Sequence, residues 1–189
     1  MQSLIPQIKQ CCLCENKLPY SPNPILQVSQ HSKILILGQA PGKVTHQKSI
    51  PFDDKSGDRL RDWLGVSRTQ FYNDELFAIL PLSFCYPGKG KSGDLPPLTA
   101  CAQTWHEPIL AKLHKVELTI ILGKYASEWH LKTKEPITSL AKQGLTFLTM
   151  NKIVLPHPSP RNNIWLKKHV WFKNEVIPLL QGHIKSIIT

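Results

Sequence analysis

A three-layer α/β/α chain built on a mainly parallel four-stranded central sheet is the fold class the sequence predicts. Three observations carry it. Short apolar runs alternate with helical patterns in the order strand, helix, strand, helix. The run Leu118-Thr119-Ile120-Ile121-Leu122 is apolar enough to be covered on both faces, as strands of parallel sheets are. The helical stretches between the runs are long enough to cross over from one parallel strand to the next.

The first strand is predicted at residues 33–37, where Ile34-Leu35-Ile36 leads into Leu37-Gly38-Gln39-Ala40-Pro41-Gly42. Further strands are predicted at 77–80, 118–122 and 147–155. Residues 56–64 read as a helix with Leu60, Trp63 and Leu64 on one side and Asp58, Arg59, Arg61 and Asp62 on the other. A second helix is expected over 97–113, opening on prolines suited to a first turn, and a third over 124–131 directly after Gly123. The helical pattern resumes over 165–188, with a break expected around Pro178 and Gly182. Two loops exceed what a connection needs, 41–55 and 85–97. One domain spanning residues 1–189 is expected, with no repeats and no low-complexity tracts.

With 189 residues, 41% of them hydrophobic, the chain can bury a sizeable core. The formal charge is +10, from 23 Lys and Arg against 13 Asp and Glu, and favours a polyanionic partner such as a nucleic acid. No opening basic region precedes a long apolar stretch, and no window approaches the roughly 18 apolar residues of a membrane span. A cytoplasmic, soluble, monomeric protein without membrane contact is expected.

Chemistry is expected in the loops that follow the strands. In the first, Gly38 and Gly42 permit close approach of backbone to a ligand while Pro41 stiffens the turn. Phe52 follows in the same loop, then Asp53-Asp54-Lys55-Ser56-Gly57 at a helix start. An aromatic face beside carboxylates can stack a base and activate water. The same residues can also serve as core (Phe52) and helix caps (Asp53, Asp54 or Ser56). His46 lies in this loop within potential reach of substrate or phosphate. Downstream, His157-Pro158-Ser159-Pro160-Arg161 forms a second turn after the last predicted strand, where His157 reads either as a site residue or as a satisfied strand-end histidine.

The order GQAPG, then IPF, then HPSPRN resembles the uracil-DNA glycosylase superfamily, over most of the chain from Cys11 to about Leu180. The iron–sulfur branch of that superfamily has Glu where this chain has Gln39, and its Pro-Phe pair falls at the spacing of Pro51 and Phe52. The HPSPRN turn is closer to the single-strand-selective branch. The resemblance implies a DNA-repair glycosylase acting on uracil, or a related deaminated base, in single- or double-stranded DNA. Phe52 would stack on the flipped base, the turn Gly38, Gln39, Ala40, Pro41, Gly42 would hold water and sugar, and His157 would donate to uracil O2. Ser159 and Arg161 would grip the flanking backbone. Such roles suit the reaction, which leaves negative charge on the base and positive charge on the sugar.

Two positions depart from the family pattern. Ala40 replaces the Asp or Asn that positions water, so by resemblance to a branch with Ala there the base is Asp54, or Asp53 in its place. Pro81 stands near the position of an Asn that reads the uracil edge, and a proline ring offers no side-chain hydrogen bond. A glycosylase for hypoxanthine or xanthine, or a catalytically weak or inactive nucleic-acid-binding module of the same fold, are the alternatives these departures raise. No lysine stands where a Schiff-base nucleophile is expected, so the enzyme would be monofunctional.

Five cysteines without a secretion signal favour metal, redox or buried thiols over a disulfide framework. Cys11 and Cys14 form a C-x-x-C pair, and Cys85 and Cys101 follow. Together they can hold a 4Fe–4S cluster or a zinc ion. Their spread is similar to that of the iron–sulfur branch, in which a structural cluster is implied. No organic cofactor is expected. The glycine- and lysine-rich loop from Pro87 to Gly93 can lie along phosphates, although it is not a P-loop. Trp165, Trp171 and Phe172 beside Lys167, Lys168 and Lys173 can stack on bases, but at helical spacing they read first as core.

Overall fold

The computed structural model describes residues 1–189. In chain order it runs α1 (Leu4–Lys9), β1 (Ile34–Gly38), α2 (Lys43–Lys48), α3 (Lys55–Leu64), α4 (Arg68–Phe71), β2 (Phe77–Pro81), β3 (Lys89–Gly90) and β4 (Gly93–Asp94). A π-helical segment (Ala102–His106), α5 (Glu107–Leu110), β5 (Leu118–Leu122), α6 (Gly123–Leu131), α7 (Ile137–Lys142), α8 (Gly144–Leu148) and β6 (Lys152–Leu155) follow. The chain closes with α9 (Asn163–Lys168), a second π-helical segment (Phe172–Val176) and α10 (Ile177–Ile188).

The central sheet has the order β2-β1-β5-β6 and every neighbouring pair is parallel. Alternate residues of β1 enter opposite cores, as the pleat requires. Ile34 and Ile36 pack with Leu60 and Leu64 of α3, Phe172 and Leu180 on one face. Leu35 and Leu37 pack with Ile8 of α1, Ile109 of α5, Ala126 of α6 and Leu140 of α7 on the other. Helices therefore cover both faces, which is the predicted three-layer α/β/α arrangement. No helix is long and apolar enough to cross a membrane.

Strand order reverses around β1, because the chain moves from β1 to β2 on one side and later returns to place β5 on the other. Such a switch point opens a crevice at the carboxyl ends of the strands. The segments leaving β1, β5 and β6 meet there.

Local expectations hold for β1, β2 and β5 to within a residue, and fail in three places with physical causes. The strand expected at 147–155 begins only at Lys152; Phe147 and Leu148 end α8, and a turn follows in which Asn151 takes a left-handed φ of 55°. The helix expected over 97–113 becomes the short α5 preceded by the π-helical segment Ala102–His106. The break expected at Pro178 and Gly182 is absent, since α10 runs through both, and the interruption falls at His169 instead. Both π segments end shortly before a helical proline, Pro108 and Pro178. A proline cannot donate and its ring crowds the carbonyl one turn back, so widening the preceding turn lets the helix continue.

Between the first π-helical segment and α6, His106 and His130 stack with ring centroids 5.4 Å apart and planes 11° from parallel. His106 Nε2 donates to the carbonyl oxygen of Pro81 at 3.0 Å. Burial lowers the pKa of both imidazoles from 6.5, that of His130 to about 4. Below pH 6.5 the unfolded chain therefore binds more protons than the folded one, so stability falls as pH drops towards the folded values. Thermal unfolding followed against pH should show a melting temperature that declines steadily from pH 6.5 towards 4, with a shallower decline in His130→Asn. An identical slope in the variant would contradict this.

Candidate active site

At the crevice lies a cavity of about 370 Å³ walled by Gln39, Ala40, Pro41 and Gly42 from the first turn and by Phe52, Asp54 and Ser56 from the next. His157, Ser159, Arg161 and Asn162 close it from the loop after β6, Tyr125 from α6, and Asp94 from the β3–β4 hairpin. Its volume is at the small end of the range for small-molecule sites, on the order of 300–1,000 Å³. An apolar hollow of similar size, about 360 Å³ between α8 and α10, lacks this convergence of polar groups.

The first turn is tied down by backbone bonds. Leu82 N–H donates to Gly38 O at 3.0 Å and Ser83 N–H to Gln39 O at 2.9 Å. Gly38 does not line the cavity; it lies beneath the aromatic ring, where an added Cβ would touch Phe52 Cζ at 3.9 Å. Phe52 holds a left-handed φ of 55°, a conformation that costs a bulky side chain about 1–3 kcal/mol and collects at functional positions. Surroundings enforce it. The Phe52 carbonyl accepts from Arg61 Nη1 at 3.3 Å, its ring meets Phe71 edge-on at 6.3 Å, and a Cβ at Gly57 would collide with its carbonyl oxygen.

Adjacent Asp53 and Asp54 point to different partners as the chain turns into α3. Asp54 is the N-cap of α3, with Oδ1 accepting the Gly57 N–H at 2.9 Å, and it faces the cavity. Asp53 does not. Its carboxylate is held by Arg68 Nη1 at 2.7 Å and Lys48 Nζ at 3.2 Å, and the Arg68 hydrogen bond draws its pKa below the ordinary value. Asp53 is therefore an ion-pair partner that lies outside the cavity. His46 also lies outside the cavity, stacked against Tyr20 at 5.1 Å and tilted against Tyr86 at 6.2 Å.

On the far wall, His157 Nδ1 accepts the N–H of Ser159 at 3.2 Å, and the His157 carbonyl accepts from Asn162 Nδ2 at 2.7 Å. With Nδ1 accepting, the neutral ring carries its proton on Nε2. Burial, above all, lowers the pKa of this imidazole, partly offset by the carboxylates of Asp54 and Asp94 and reinforced by Arg161. A neutral donor results. Gly123 has a φ of 77°, and an added Cβ would lie 3.3 Å from that of His157, so the tight start of α6 is what brings this turn close. Ser159 Oγ caps its own turn by accepting the Arg161 N–H at 3.3 Å.

Arg59, read in the sequence only as part of a polar helix face, donates to Ser159 O at 3.0 Å, Pro158 O at 3.4 Å and Asn163 Oδ1 at 2.7 Å. It binds α3, which carries Asp54, to the turn that carries His157. Asp94 and Tyr125 were equally invisible, because only the tertiary fold brings the hairpin and α6 to the cavity, whereas Asn162 closes the HPSPRN motif without a role assigned to it. Pro81 ends β2 opposite Gly38, and no side chain from the end of β2 lines the cavity.

Cys11, Cys14, Cys85 and Cys101 converge on a separate small cavity behind the loop after β2, whereas Cys12 is exposed. Cys101 Sγ accepts the Phe84 N–H at 3.4 Å, and the Cys85 thiol accepts a backbone bond from Asn23. Burial raises the Cys101 thiol to about 12 and also raises Cys14 and Cys85. As they stand, no three Cys, His, Asp or Glu side chains form a group set to hold a metal ion.

A family model for the uracil DNA glycosylase superfamily matches residues 26–181, which include both turns, the Phe52 loop and the whole sheet. The chain belongs to the uracil DNA glycosylase superfamily.

Proposed function

We propose that the chain is a monofunctional DNA glycosylase that hydrolyses the N-glycosidic bond of uracil, or a related deaminated base, once that base has been flipped out of the stack. The single observation that carries this reading is that the Phe52 ring, the Asp54 carboxylate and neutral His157 share one cavity of about 370 Å³. The extruded base stacks on Phe52, and unstacking it from DNA costs a few kcal/mol. As the C1′–N bond breaks, its electron pair moves onto the base, and the His157 Nε2–H meets the growing negative charge on the base oxygen. Water adds at C1′ and gives its proton to Asp54, whose second oxygen is free of the helix cap. Ala40 can only shape the turn. No lysine lines the cavity, which supports hydrolysis without strand cleavage. Lys89 and Lys91, exposed on the hairpin, and Arg161 supply positive charge for phosphates.

Pro81 lies outside the cavity and no side chain from the end of β2 replaces the missing reader of the uracil edge, so hypoxanthine and xanthine remain natural companions in the test. Oligonucleotides carrying one uracil, hypoxanthine or xanthine, incubated with the protein and then treated with alkali, should break at the lesion for at least uracil. A gel shift without any break would support the rival, a binding module that has lost turnover.

A 4Fe–4S cluster is part of the same proposal. Four free thiols on one cavity, two of them already receiving backbone N–H bonds, suit such a group. A single zinc, held by sulfurs about 2.3 Å away, is the other occupant that the same thiols could take. Bound there, the cluster would pin the N-terminal segment onto the loop after β2, a structural role. Protein purified without oxygen should be brown and carry iron, and Cys101→Ser should lose both the colour and several degrees of melting temperature. Colourless protein with one zinc per chain would refute the cluster.

A further inference from the structure

The β3–β4 hairpin delivers a carboxylate to the cavity that the proposed hydrolysis does not use. Arg161 Nη1 donates to Ser92 O at 3.3 Å, and the guanidinium lies so close over Gly93 that a Cβ there would collide with it. Gly93, with a φ of 147°, is thus the residue that lets the last turn grip the hairpin. The next residue, Asp94, is thereby set in the cavity wall. Its Oδ2 lies on the Gly42 side, 3.7 Å from where a Cβ on that residue would stand. Its Oδ1 accepts a long bond of 3.4 Å from the hydroxyl of buried Tyr86.

Asp54 and Asp94 are built alike. Each has one oxygen oriented by a neutral donor, Gly57 N–H or Tyr86 O–H, and one left free. Neither forms an ion pair, whereas Asp53 and Asp58 do. Both favour the protonated form of His157, so both are near enough to feel charge in the same cavity.

We propose that Asp94 is a second catalytic carboxylate, whose free Oδ2 faces the deoxyribose from the Gly42 side and stabilises the positive charge that develops there as the base leaves. The proposal rests on the glycosylase reading. An anion at this place repels the phosphates of bound DNA in the ground state and is rewarded only when the sugar becomes cationic. Its effect should therefore fall on turnover and not on affinity. A residue that merely held the hairpin would do the opposite, weakening binding and stability together.

The test is single-turnover base release and DNA affinity for the wild type, Asp94→Asn, Asp94→Glu and Tyr86→Phe. Asp94→Asn should slow release by about tenfold to hundredfold, with a dissociation constant for uracil-containing DNA equal to or lower than that of the wild type and an unchanged melting temperature. Asp94→Glu should recover part of the rate, and Tyr86→Phe should lose a smaller part. A rate within about twofold of wild type in Asp94→Asn, or a loss matched by weaker DNA binding, overturns the proposal while the glycosylase reading stands. A wild type that releases no base from any of the three lesions overturns both.

Discussion

Replacing His157 with alanine should lower the single-turnover rate of base release by about 10²–10³-fold, while folding and DNA binding persist. The expectation follows from the ring's environment. Nδ1 is committed to the Ser159 N–H, so Nε2–H is the donor, and alanine leaves no group at this position to replace it. The donor acts on charge that exists only as the bond breaks, so its removal should leave affinity nearly intact. Because burial lowers the imidazole pKa from 6.5, the neutral ring prevails at neutral pH. The rate should be flat there and should decline under acid conditions, as protonation of Nδ1 breaks the bond from Ser159. Rapid-quench assays across pH would check both; an alanine variant with wild-type rate would refute the role of His157.

Asp54→Asn is the second large effect. The rate should fall by about 10²–10⁴-fold, the loss typical of removing a general base. Stability should hardly move, because asparagine caps helices as well as aspartate and can still accept the Gly57 N–H. Asp54→Ala, by contrast, should lose the cap as well, about 1 kcal/mol. Asp53→Asn serves as the internal control and should retain activity, its carboxylate being engaged by Arg68 and Lys48 outside the cavity. Equal losses at 53 and 54 would show that the loop, not the base, had been damaged.

Much of this was legible in the sequence where the cause is local. Continuous apolar runs marked β1, β2 and β5, and the turns after β1 and β6 announced themselves through Gly, Pro and His. Phe52, Asp54 and His157 were therefore readable as candidates, and the fold places all three on one cavity. What was not legible depends on direction or on distance in sequence. Asp53 and Asp54 differ only in which way the chain turns into α3. His46 lies in a motif loop, yet Tyr20, far upstream, draws its ring away. Residues 147–155 look like a strand throughout, because Phe147 and Leu148 are apolar residues of a short helix that enter the two cores on either side of the sheet. Arg59 and Asp94 gain their meaning from partners on remote segments, Ser159 and Arg161, that no periodicity reveals. The two helical prolines illustrate the reverse case, where a strong breaker signal is absorbed by a widened turn.

The most direct measurement is the quantity of free base released from a uracil-containing oligonucleotide under single-turnover conditions. One uracil liberated per lesion, with an intact strand until alkali is added, is the predicted result. Tight binding of that oligonucleotide with no free base, in protein that is folded and loaded with iron, would contradict the account.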